Sequence, residues 1–201
     1  MKNGHELPDK EHAKNAPFLL PIEDVFTIPG RGTVVTGQVQ RGQIKQNDEV
    51  EIVGVTPTRK TVVIGIEMFN KIVDSAIAED NVGLLLRDVD KKEIQRGQVL
   101  AQPGSIRPHT VFKALIYSLP AEKGGRQKPI AAGDSPGFYF RTTDTAGAVE
   151  LPAGEDVVMP GGRAEITVEL AQPIALEKGL RFIIREDRQK VAVGQIIDIV
   201  K

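Results

Sequence analysis

The chain has 201 residues, 26 basic and 27 acidic side chains for a formal net charge of −1, 40% hydrophobic residues, and neither cysteine nor tryptophan. That balance excludes a nucleic-acid binder that depends on a broad basic excess, although it leaves room for a small, shaped RNA site, and the lack of cysteine excludes a disulfide scaffold and thiolate chemistry. No apolar run approaches about 18 residues and no charged start leads into an apolar signal core, so neither a membrane span nor secretion is indicated and the cytoplasm is the expected location.

Only 4% of the residues are aromatic. The cores are therefore expected to rest on Val, Ile and Leu, residues that suit strands, and the expected class is all-β. Residues 1–16 alternate charges with small residues without an apolar period and read as a leader or interdomain linker. The following stretch, 17–54, organises what comes after. Its centre carries Val35, Gly37 and Val39 in period-two phase, which is the pattern of a strand with one buried face. Gly37 is a glycine in mid-strand, a costly choice unless a bend or another backbone needs the space.

Further short apolar runs follow at 50–53, 61–69, 82–86 and 99–101, the second with Val62, Ile64, Ile66 and Met68 in one phase. Turn chemistry at Asn47-Asp48, Thr56-Pro57, 79–81 and Pro103-Gly104 separates them. Residues 72–78 could form a short helical turn. Gln-Arg-Gly-Gln occurs at 40–43 and again at 95–98, each copy reading as a turn that enters a strand. The proline-bounded joint at 103–108 marks a domain boundary. A second set of runs lies at 111–119, 137–141, 164–170, 180–185 and 191–200, with long loops at 120–136 and 143–162. The expected architecture is thus two consecutive antiparallel β-barrels, 17–107 and 108–201, joined by a short Pro/Gly linker.

Little in these residues points to catalysis. No Gly-rich loop ends in Gly-Lys-Ser/Thr, so nothing would cradle nucleotide phosphates. Asp144-Thr145-Ala146-Gly147 matches Asp-x-x-Gly but reads as a turn without such a loop, and residues 70–74 have one residue too many for Asn-Lys-x-Asp. The acid pairs Glu23-Asp24, Asp48-Glu49 and Asp88/Asp90 fit solvated turns better than general acid/base work. Two of the three histidines, His5 and His12, fall in the leader with only His109 beyond it, so no histidine metal site is expected. Glu67, beside Met68 and Phe69 at a strand end, either faces solvent or supports a ligand. Phe26 and Ile28 share a phase before a glycine turn, where they could line a pocket for a flat ring or simply pack in a core.

The motifs PFLLPIEDVFTIPGRGTVVTG, NVGLLLR and RGQVLAQPGSIRPHT in the first half, with GGR, FYFRTTDTAG and VELAQPIALEKGLRFIIRE in the second, resemble the second and third domains of bacterial and organellar elongation factor Tu. The resemblance implies two β-barrels that hold aminoacyl-tRNA together with a GTP-binding domain and deliver it to the ribosome. By position it assigns Glu23, Asp24, Phe26, Ile28, Glu67, Asn81 and Leu85 to a pocket for the aminoacylated 3′ end of the tRNA. Arg96 and Arg126 would contact tRNA phosphates. It implies no catalytic residue, cofactor or metal in this chain, since GTP and magnesium would belong to the GTP-binding domain, which this sequence does not contain.

The sequence departs from the family pattern at several positions. Asn70 stands where arginine is usual. In the second half Gln127 replaces a frequent histidine, Ser135-Pro136-Gly137-Phe138 replaces Arg-Pro-Gln-Phe, Ala146 a threonine and Gln172 a lysine, and residues 185–196 replace a glycine-rich segment and add Asp187. These changes reduce donors where a T-stem backbone would approach. They leave a second reading, a free-standing two-barrel module that binds a protein or a small ligand and no longer delivers tRNA.

Overall fold

The computed structural model describes residues 10–125 and 127–201. The chain divides into two compact units, residues 1–53 with 57–106, and Gly54–Thr56 with Arg107–Lys201. Both are built from antiparallel strands, in agreement with the all-β, two-barrel expectation.

The first unit contains β1 (Leu19–Pro21), β2 (Asp24–Ile28), β3 (Gly32–Gln38), β4 (Gln43–Lys45), β5 (Glu49–Gly54), β6 (Thr56–Met68), β7 (Lys71–Val73), β8 (Ser75–Ile77), β9 (Asn81–Leu86) and β10 (Val99–Ala101). Its main sheet is a half-barrel ordered β1-β10-β5-β6-β9-β3-β2, with β7 pairing β6, while β4 and β8 form a separate ribbon. The core is aliphatic apart from Phe18, with Leu20, Ile22, Val35, Ile66, Leu84 and Leu100 at its centre. The period-two set anticipated from the sequence points inward: Val35 in β3 and Val39 just past its end are buried. Gly37 is required by packing, because a Cβ there would stand 2.3 Å from the Pro21 carbonyl oxygen.

Several local expectations are corrected. Residues 72–78 form no helical turn; they contribute β7 and β8. The turn expected at Thr56-Pro57 lies two residues earlier, at Gly54 and Val55, whose φ angles of +102° and +63° reverse the chain before β6 begins. The proposed single apolar phase of β6 is broken: Thr61 and Val63 face inward, the register shifts between Val63 and Gly65, and Ile66 faces inward thereafter. A β-bulge adds one residue to one strand and so exchanges the two faces beyond it. Part of the expected leader, Lys10–Asn15, is a short α-helix, α1, and residues 1–9 lie outside the described residues.

The second unit contains β11 (Arg107–Ser118), β12 (Ile130–Ala131), β13 (Gly137–Phe140), β14 (Thr143–Glu150), β15 (Val157–Val158), β16 (Arg163–Leu176), β17 (Arg181–Glu186) and β18 (Gln189–Ile199). Six of these close a barrel in the order β11-β16-β14-β13-β17-β18. Its core departs from the aliphatic expectation, since Phe112, Phe138, Phe140 and Phe182 form one cluster with ring centroids 5.5–6.4 Å apart. Edge-to-face and offset rings of this kind add to the stabilisation from area burial. The Asp144 to Gly147 segment is not a turn but part of β14, in which Thr145, Gly147 and Val149 point inward. Its small residues hid the alternation. Gly147 meets the core so closely that a Cβ would lie 2.8 Å from Val168 Cγ1 and 3.0 Å from Phe138 Cδ2.

Candidate functional site

The half-barrel has an outer face that is not covered. Ladder registers set its rows: Asp24 opposite Thr36, Thr36 opposite Gly83 and Gly83 opposite Glu67, then Phe26 opposite Val34, Val34 opposite Leu85 and Leu85 opposite Gly65. The alternate row, Val25, Val35, Leu84 and Ile66, forms core on the other side. Strand alternation therefore delivers Phe26 and Ile28, Asn81, Gly83 and Leu85, and Gly65 and Glu67 to one surface. The bulge in β6 is what brings Gly65 and Glu67 into this row.

That surface is hollowed into a cavity of about 530 Å³ within the first unit. Its size falls in the range of small-molecule and cofactor sites. Of the seven positions assigned to a 3′-end pocket, Glu23, Phe26, Ile28, Glu67, Asn81 and Leu85 line it, whereas Asp24 does not. The Asp24 carboxylate instead accepts the N–H of Val25 at 2.8 Å. Phe26 is 39% exposed although the flanking Val25 is buried, so the residue is presented to the cavity instead of being spent in the core.

The floor is made by two glycines. A Cβ on Gly83 would come 3.4 Å from Val34 Cγ1, and one on Gly65 would come 3.5 Å from Leu85 Cβ, both ordinary contacts. Neither glycine has the positive φ that excludes side chains, in contrast to Gly32 at +130°. Glycine in a strand interior costs stability, about 0.5–1 kcal/mol relative to alanine, and nothing in the protein requires it at these two positions. What the two glycines provide is depth in the cavity.

One rim is the β6–β7 hairpin, whose two-residue turn consists of Phe69 and Asn70 at φ +51° and +61°. Left-handed angles at both positions are those of a type I′ turn, and asparagine tolerates them far better than arginine. This accounts physically for Asn70 at a position that lines the cavity. Phe69 and Ile72, 82% and 73% exposed, extend the apolar surface past the rim. Gln46 closes another side with its Nε2 donating to the Ile64 carbonyl at 3.0 Å. The remaining lining cation is Arg31, on the β2–β3 turn. Among the described residues, Arg31, Glu67, Asn70 and Asn81 make no side-chain hydrogen bond or ion pair within the protein.

The chain matches the family "Elongation factor Tu domain 2" over residues 32–101 and the family "Elongation factor Tu C-terminal domain" over residues 105–200. It is an elongation factor Tu-like two-domain region. The domain 2 match takes in Gly65, Glu67, Asn81, Gly83 and Leu85, while Glu23, Phe26 and Ile28 precede it and join the site through the β2–β3 ladder.

The two arginines assigned to phosphates lie apart from this cavity. Arg96 is exposed on the 95–98 turn, which is fixed by Gln95 N–H donating to Gln98 Oε1 at 2.8 Å and by Gly97 N–H donating to the Ile22 carbonyl. Arg126 lies outside the described residues. Beside it, Gly124 and Gly125 offer their carbonyls to Gln189 Nε2 at 2.7 and 2.9 Å. Arg31, Gln46, Gly65, Gly83 and Ile72 were missed as site residues by sequence reasoning. The glycines had a signal, mid-strand placement on the same phase as Asn81, Leu85 and Glu67. The bulge that aligns Gly65 had none.

Among the described residues no group of three or more His, Asp or Glu is gathered as a metal site. No helix among them is long and apolar enough to cross a membrane.

Proposed function

We propose that the cavity of the first unit holds the terminal adenosine and aminoacyl ester of aminoacyl-tRNA. The region then acts with a GTP-binding domain, on the same or a separate chain, in GTP-dependent delivery to the ribosome in the cytoplasm. It supplies no catalytic group and no cofactor of its own. The observation that carries this reading is the convergence of Phe26, Ile28, Leu85, Glu67 and Asn81 around one glycine-floored cavity.

Each feature has a chemical use. A single-stranded 3′ end is recognised by stacking an unpaired base and reading its edge. Phe26, Ile28 and Leu85 give the base an apolar wall, a contact worth about 1–3 kcal/mol per base. Gly65 and Gly83 let the ring approach the sheet. Asn81 has a free amide for an edge or ribose hydroxyl, and Glu67 and Glu23 offer carboxylates to the hydroxyls or the α-ammonium of the aminoacyl group. Arg96 and Arg126 would meet backbone phosphates as bidentate donors.

A specific observation also favours the second reading, a two-barrel module without tRNA delivery. The β17–β18 turn carries Asp187 and Arg188 at φ +46° and +68°, and Gln189 is engaged within the unit by Gly124 and Gly125. This surface is committed to internal bonds and gains an acidic side chain.

The deciding experiment compares charged and uncharged tRNA, with and without a separately supplied family GTP-binding domain, across a salt series. Preference for charged tRNA, strengthened by the GTP-bound domain and falling with salt, supports the first reading. Binding that ignores both aminoacylation and salt contradicts it and supports the second.

A further inference from the structure

We infer that Arg31 is the cavity's phosphate contact, pairing with the backbone phosphate on the 5′ side of the bound terminal nucleoside. The inference rests on the reading of the cavity as an aminoacyl-adenosine site, and it assigns the charge that Asn70 does not supply.

The ionisable groups lining the cavity are Glu23, Glu67 and Arg31. Two carboxylates alone would repel a phosphodiester, so a nucleotide ligand longer than one nucleoside needs a cation at the rim. Arg31 is exposed there and, among the described residues, spends its guanidinium on no internal acceptor. Its backbone is fixed nonetheless. Gly30 and Gly32 take the left-handed angles of the turn, +74° and +130°, and Arg31 N–H donates to the Ile28 carbonyl at 3.0 Å. Gly32 lies so close to the apolar wall that a Cβ would stand 3.6 Å from Leu85 Cδ1. The root of the arginine is thus one residue from the wall on which the base stacks.

Arg31 lines the same cavity as Phe26 and Leu85, so the assignment puts the 5′ phosphate of a base stacked on those two residues at the arginine. Guanidinium is suited to this task because its planar fork of donors matches phosphate oxygens. The β6–β7 rim is neutral at Asn70, whose left-handed backbone disfavours arginine. Lys71 is exposed next to it but does not line the cavity.

The test uses the full chain and two probes: adenosine bearing an amide-linked 3′-aminoacyl group and no phosphate, and the same nucleoside at the end of a CCA trinucleotide. Arg31→Gln is expected to weaken trinucleotide binding about tenfold and to leave the nucleoside unchanged. The salt slope of trinucleotide binding should shrink by about 0.7, the share of one single-strand phosphate contact. Lys71→Gln should change neither probe. If wild type binds both probes and Arg31→Gln treats them alike, or Lys71→Gln carries the loss, the assignment of Arg31 is overturned while the cavity reading stands. If wild type binds neither probe, the cavity reading fails and takes this assignment with it.

Discussion

Gly83 of β9 stands directly opposite Glu67 of β6, so the neighbour of that carboxylate on the cavity face has no side chain. The pairing separates two kinds of glycine in this fold. Gly83 is empty toward the cavity, and adding a methyl there meets only ordinary contacts. Gly83→Ala should therefore fold with unchanged or slightly higher stability, by up to about 1 kcal/mol in thermal unfolding. It should at the same time weaken binding of an aminoacylated acceptor end. Loss of folding instead would show that the glycine serves packing.

Gly37 belongs to the other kind. Its missing side chain admits the Pro21 carbonyl, 2.3 Å from where a Cβ would be. Gly37→Ala should cost about 1–3 kcal/mol, the usual penalty for overpacking, read as a lower urea midpoint at unchanged slope.

Ser118 is fully buried in the second unit, and its hydroxyl has no hydrogen-bond partner among the described residues. A buried unsatisfied polar atom carries a desolvation cost without return. Ser118→Ala should be neutral or stabilising by up to about 1 kcal/mol, whereas Phe112→Ala in the same strand should cost about 3–5 kcal/mol. Urea unfolding of the two variants checks both.

Burial holds His109 below its ordinary value of 6.5, with the charge of Arg107 acting in the same direction against a hydrogen bond to the Lys201 backbone. A depressed value means the folded state resists protonation. The stability associated with the neutral ring is complete above pH 6.5 and is lost as pH falls from there through the folded value. His109→Gln should flatten the stability profile on the acid side of pH 6.5 relative to wild type. The hydrogen bond that Lys178 Nζ donates to the Asp198 carboxylate lowers the Asp198 value, so that pair contributes above the ordinary carboxylate range and loses its contribution under acid. A Lys178→Ala variant should remove the acid-side difference.

Much of this was legible in the residues themselves. Val35, Gly37 and Val39 announced a strand with a buried face and a close backbone approach, and both are present. Phe26 with Ile28, and Asn81 with Leu85, share strand phases, so period two alone places each pair on one face. What could not be read depends on contacts distant in sequence. The bulge after Val63 reverses the phase of β6, and no local rule requires it. Arg31 reads as a turn residue until the β2–β3 hairpin is set against Leu85. β14 was hidden because Gly147 and its small neighbours show alternation only once Val168 and Phe138 press against them. Four phenylalanines gathered in one barrel are likewise invisible to a composition that averages both units.

The proposed role of the first unit depends on the glycine-floored cavity being an aminoacyl-adenosine site. It is tested most directly by titrating a short amide-linked aminoacyl acceptor-end RNA into the wild-type chain and into Phe26→Ala and Glu67→Ala. Each variant is expected to remain folded and to lose about 1–3 kcal/mol of binding, the scale of one base-stacking contact. Wild-type affinity in both variants would contradict it.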